Sequence, residues 1–162
     1  MSPEAPPAWH VGDWGPLAWA ETALKSAGIL VGIAALLTAS DHEPDGASGA
    51  RLAAVVILAV LSLGLVAGIL DRLAGRELVG FLFILGMVAG HVAMTVALAR
   101  DGGLEGYLAA FAALMLAGDL VKLVFLRTTG FRTRDVPPAV VYGLTSSYAV
   151  AYVALLVIAP SV

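Results

Sequence analysis

The sequence predicts an all-α integral membrane protein, a polytopic bundle of five transmembrane helices, on three observations. Of its 162 residues, 60% are hydrophobic and 13% are charged, whereas soluble domains run near 45–50% apolar and about 25% charged. A soluble fold of this size lacks the interior to hide so much apolar side chain. Second, five apolar stretches approach the roughly 20 residues needed to cross a hydrocarbon core about 30 Å thick. Third, short polar segments rich in turn formers separate those stretches.

The first span is expected over 16–38. It opens at Pro16, where a missing N–H costs little, and is preceded by a tail, 1–15. Trp9, Trp14 and Trp19 cluster about its start as an interfacial aromatic anchor. Glu21 and Lys25 interrupt it, so its continuous apolar run is only Ser26 to Ala39. An interfacial amphipathic helix, leaving four spans, is the competing reading. The turn-rich run from Ser40 to Gly46 ends the first span. Spans two and three follow over 52–70 and 78–99, joined by the tight connection from Asp71 to Glu77. Arg100-Asp101-Gly102-Gly103 leads to the fourth span, 104–126. The Arg127–Asp135 connection and Pro137-Pro138 lead to the fifth, 136–159. Residues 16–162 read as a single transmembrane bundle.

Arginine sets the expected orientation. The second and fourth connections hold Arg72, Arg76, Arg127, Arg132 and Arg134, and the first and third hold only Arg51 and Arg100. The positive-inside bias puts the N-terminus in the cytoplasm and the C-terminus outside, in a cytoplasmic (inner) membrane. The charged n-region of a cleavable signal peptide is missing.

Composition excludes several classes of function. The chain has no cysteine, which removes disulfide scaffolds, thiolate metal sites and thiol nucleophiles. A formal charge of −3 argues against a nucleic-acid partner, which would demand a basic face. No phosphate-binding loop, HExxH or GxSxG string occurs, so no residue is assigned a catalytic role. Metal ligands are not expected either.

What a packing-only helix would not contain is charge. The chain has two lysines, Lys25 and Lys122, and both fall inside spans, as do the acids Glu21 and Asp119. Intramembrane charge costs about 2.5–3.5 kcal/mol per residue on insertion scales, so such groups face the bundle interior and pair. At 1.5 Å per residue, Glu21 and Lys122 both lie about 7–8 Å from the cytoplasmic end, and Lys25 and Asp119 both about 12–13 Å. The first and fourth helices are therefore expected to pack antiparallel through a four-charge cluster. That cluster reads as a register-fixing clamp, as snorkelling of Glu21 and Lys122 to the interface, or as a proton- or substrate-coupled site.

Three further features stand out. His91 lies within the third span, about 20 Å from the cytoplasmic end and so in the outer half, with Thr95 one turn on, and reads as a histidine hydrogen-bonded across helices. Haem ligation is the sharper alternative, but His10 and His42 lie outside the spans, and no cofactor is expected. Tyr142, Thr145, Tyr148 and Tyr152 form one stripe on the fifth helix, which lipid would not reward; it faces either a packed bundle or an aromatic, hydroxyl-lined cavity. Gly28-x-x-x-Gly32, Gly64-x-x-x-Gly68 and Gly86-x-x-x-Gly90 permit close helix approach and leave surface for self-association.

The leading functional reading is a small membrane protein that handles an ion or small ligand within its bundle. Glu21, Lys25, Asp119 and Lys122 would gate or couple, while His91, Tyr142, Thr145, Tyr148 and Tyr152 line the outer part. Five spans are few for an autonomous transporter, so transport implies a homo-oligomer. The second reading is a non-catalytic subunit of a larger membrane complex, and the third a membrane-embedded enzyme.

Overall fold

The computed structural model describes residues 14–40, 49–74, 78–129 and 137–162, with the side chains of 70–74 and 129 left aside. These residues form five long helices: α1 (Pro16–Thr38), α2 (Gly49–Ala74), α3 (Leu78–Arg100), α4 (Glu105–Thr129) and α5 (Pro138–Ile158). A 3-10 turn, Ala159–Ser161, closes the chain. All five are long and apolar enough to cross a membrane, so the protein is an integral membrane bundle in contact with lipid. The ends of the expected spans fall within four residues of those of the observed helices. The largest difference is α2, which extends both ways through Gly49-Ala50-Arg51 and the turn at Asp71–Ala74.

The helices close into a ring in the order α1, α3, α2, α5, α4. The α1–α4, α2–α3, α1–α3 and α4–α5 seams are extensive, and the α2–α5 seam is the slimmest. Glycine explains the closeness of α1 to α3. A Cβ on Gly32 would collide with the Gly90 carbonyl, and one on Gly90 would lie 2.9 Å from the Cα of Ile29. Two of the three small-residue motifs thus mate with each other, backbone against backbone. The third faces elsewhere: Gly64 lies under the Tyr148 hydroxyl of α5, and Gly68 meets Ile84 of α3.

α1 and α3 run parallel. Their C-terminal ends are tied where Asp101 Oδ2 accepts from the Ser40 N–H at 3.0 Å and from its hydroxyl at 2.9 Å. α4 runs antiparallel to α1, since Gly28 meets Met115 while Lys25 meets Asp119. α1 is thus a full member of the ring, which removes the four-span alternative. At its start, Trp14 and Trp19 approach with ring centroids 5.4 Å apart, and Trp19 is exposed. Trp9 lies outside the described residues.

The two ends of the bundle differ. Toward Ser40 and Asp101 the interior is closed by Ala35, Leu58, Met94, Leu98, Leu108 and Leu155, all fully buried, and Arg51 in the first turn of α2 is buried at this end too. Midway, the His91 and Phe111 rings meet edge-on at 4.9 Å, and the Tyr152 ring lies 5.9 Å from His91. These side chains, from α3, α4 and α5, fill the ring's centre. The other end holds Glu21, Lys25, Asp119 and Lys122.

Candidate functional site: an intramembrane charge file

Glu21 and Lys25 stand one helical turn apart on one face of α1, so the Lys25 ammonium reaches Glu21 Oε1 at 2.8 Å. It also reaches Asp119 Oδ1 of α4 at 2.8 Å. Gly118 makes this possible, because a Cβ there would lie 2.7 Å from Lys25 Cγ. The lysine stem rests in the notch that the glycine leaves and delivers its charge to the adjacent aspartate. Lys122, one turn from Asp119, lies 3.7 Å from the same Glu21 oxygen.

The four residues make a file of alternating sign: Lys122, Glu21, Lys25, Asp119. Side-chain exposure falls along it from 33% at Lys122 through 15% at Glu21 to 4% at Lys25 and 6% at Asp119. Both pairings expected from depth, Glu21 with Lys122 and Lys25 with Asp119, are therefore present, and the Lys25–Asp119 salt bridge is buried. Snorkelling describes Lys122 in part, since it is the exposed member, but it does not describe Glu21, which is drawn inward by Lys25.

One atom stands apart. Asp119 Oδ2 is buried and has no hydrogen-bond partner among the described residues. A carboxylate oxygen carries two lone pairs and no donor of its own, and buried polar atoms are normally satisfied. Two tyrosine hydroxyls of α5 are committed elsewhere. Tyr148 donates to the Leu61 carbonyl of α2 at 2.9 Å, and Tyr152 bonds His91 at 2.7 Å.

His91 is fully buried, with Nδ1 2.7 Å from the Met87 carbonyl and Nε2 2.7 Å from the Tyr152 hydroxyl. The carbonyl can only accept, so Nδ1 carries the proton and Nε2 accepts from Tyr152. Both ring nitrogens are thus engaged, and neither offers a lone pair to a haem iron. Thr95 donates to the His91 carbonyl at 2.7 Å and plays no part at the ring.

The α5 stripe divides. Tyr152 and Thr145 are buried, whereas Tyr142 and Tyr148 are half-buried. Thr145 turns its hydroxyl back to the Val141 carbonyl at 2.9 Å, a helix-internal bond. Among the described residues no group of three or more His, Asp and Glu is arranged to hold a metal ion. Sequence reasoning missed Phe111 and Met115, although with Asp119 they form an i, i+4 row on α4 that points to the ring's interior. It also missed Gly118 as the seat of Lys25, and no periodicity marks that role.

Comparison with known proteins places no relative beside this chain: no family model, no curated protein and no solved structure matches it.

Proposed function

We propose that the protein handles an ion or a small ligand inside its bundle, with Asp119 as the acceptor at the end of the charge file. The observation that carries this reading is the unpartnered Asp119 Oδ2. A clamp selected only for packing recovers its desolvation cost by satisfying the remaining lone pairs of its buried ions. Here one oxygen is held by Lys25 and the other is left to accept a proton or a donor group. Lys25 bridges two acids, so a proton or donor arriving at Asp119 lets it turn wholly to Glu21 without losing its charge partner. His91 and Tyr152 lie behind the site as a neutral hydrogen-bonded wall, with Tyr148 and Thr145 beside them on α5 and Tyr142 nearer its start.

This reading is favoured over an assembly subunit because the charges are paired within one chain and do not need another polypeptide. Transport, as opposed to binding, would require a homo-oligomer. On the arginine bias, the file opens to the cytoplasm, with the N-terminus inside and the protein in a cytoplasmic membrane.

Native mass spectrometry of wild type and of the Asp119→Asn variant, each released gently from its membrane, tests the proposal. Wild type is expected to carry a reproducible small-molecule mass, and the folded variant to lose it. No such mass in wild type, no effect of the substitution, or stoichiometric association with a different polypeptide would overturn it.

A further inference from the structure

We infer that the site is entered from one end of the bundle only, along the Lys122–Glu21–Lys25 file, and accepts a small uncharged hydrogen-bond donor. This rests on Asp119 being the acceptor and adds its route of access and the charge class of its ligand.

The route follows from the gradient of burial. Charged and polar side chains run continuously from the half-exposed Lys122 to Asp119. Above Asp119, Met115 is fully buried against Gly28, and above Met115 comes the layer of His91, Phe111 and Tyr152. In that layer Tyr152 donates to His91 and Tyr148 donates to Leu61, so neither hydroxyl donates into the file. Beyond it Leu58, Met94, Leu98, Leu108 and Leu155 separate this layer from the polar far end, where Arg51 is buried and Ser40 is tied to Asp101. Water and polar solutes have no partners in such an apolar stretch. The file is a dead end.

The charge class follows from balance. Two ammonium groups face two carboxylates within a single hydrogen-bonded and ion-paired chain, so the cluster is formally neutral. An added cation or anion would bring an uncompensated charge into a site of low dielectric. An uncharged donor satisfies Oδ2 and leaves the balance intact.

The chain contains no cysteine, so single-cysteine labelling can be read without background. Full-length protein in oriented membranes would carry Lys122→Cys at the rim, Asp119→Cys or Thr145→Cys at depth, Leu98→Cys or Leu108→Cys in the apolar stretch, and Asp101→Cys at the far end. Each is treated with membrane-impermeant thiol reagents, one cationic and one anionic, applied to either side. Thr145→Cys serves where Asp119→Cys fails to fold.

The rim and deep positions are expected to react from one side only, Asp101→Cys from the other side only, and Leu98→Cys and Leu108→Cys from neither. For the neutral cluster, retained in Thr145→Cys, rates for the two reagents, normalised to a free thiol, should agree within about threefold. A net charge would separate them by about tenfold or more. Reaction at depth from the Asp101 side, ready labelling of the apolar stretch, or no reaction at depth from either side would overturn the route. A strong charge preference would overturn the ligand class. None of these readouts depends on ligand retention or flux, so failure here is distinct from failure of Asp119 as acceptor.

Discussion

Replacing Lys25 by methionine should be the most damaging single change to the charged end of the bundle. The lysine is 3% exposed and bonds two acids at 2.8 Å each. Methionine fills the notch over Gly118 with a stem of similar length, so the change isolates charge from volume. Glu21 keeps Lys122 at 3.7 Å, but Asp119, already with one oxygen unpartnered, loses the partner of the other. Breaking a buried pair from one side costs about 3–5 kcal/mol, because the remaining charge is stranded, whereas replacing both members by apolar residues is often neutral or better. Lys25→Met with Asp119→Leu should therefore recover nearly all of the loss. Lys122→Ala removes a partly solvated charge and should cost no more than about 1 kcal/mol. Unfolding titrations in mixed micelles, followed by the fluorescence of the three tryptophans, give all four corners of the cycle. If Lys25→Met costs as little as Lys122→Ala, or if the double variant is no more stable than the single one, the pair is not a desolvated charge contact and the reasoning fails.

Three further outcomes follow from other contacts. Gly32→Ala and Gly90→Ala should each cost about 1–3 kcal/mol, since backbone of the facing helix occupies the space a Cβ needs, while Gly143→Ala, with nothing within 4 Å, should be neutral in the same titration. Tyr152→Phe leaves His91 Nε2 buried without its donor and should cost about 1–3 kcal/mol, visible as a shifted imidazole resonance by NMR. Lys25→Arg keeps the charge but is expected to lose the Asp119-dependent signal, because a guanidinium fork can cover both Asp119 oxygens and gives up no proton; full signal in the folded variant would contradict that account.

The fold was legible because lipid imposes length and apolarity on every span, and polar connections interrupt them. The depth match worked for a related reason. Helices rise uniformly, so Glu21 with Lys122 and Lys25 with Asp119 could be paired by counting residues from the span ends. The stripe on α5 was harder to read. Periodicity places Tyr142, Thr145, Tyr148 and Tyr152 on one face, but it does not reveal that Thr145 bonds its own helix or that Tyr148 reaches the Leu61 carbonyl. Those bonds depend on which helix lies opposite, and the ring order places α3 between α1 and α2. The mating of Gly32 with Gly90 was hidden for the same reason, since small-residue spacing shows that a helix can approach closely without showing what it approaches. Much of the orientation argument rests on Arg72, Arg76, Arg132 and Arg134, whose side chains lie outside the described residues.

A clamp and a site need not be alternatives here. Four charges in alternating order fix the register of α1 against α4, because a slip of one residue would set like charges closer and lift the Lys25 stem from Gly118. That same rigidity keeps Asp119 Oδ2 in place without supplying it a donor. Both lysines of the chain serve the file, and the other seven bases are arginines at or beyond the helix ends. Lysine is a compact charge that can yield its proton when buried, whereas arginine stays charged and brings five fixed donors. An arginine at position 25 could have covered both Asp119 oxygens in a fork and closed the site. The choice of lysine leaves one oxygen uncovered, which a stability argument alone does not call for and a binding argument does.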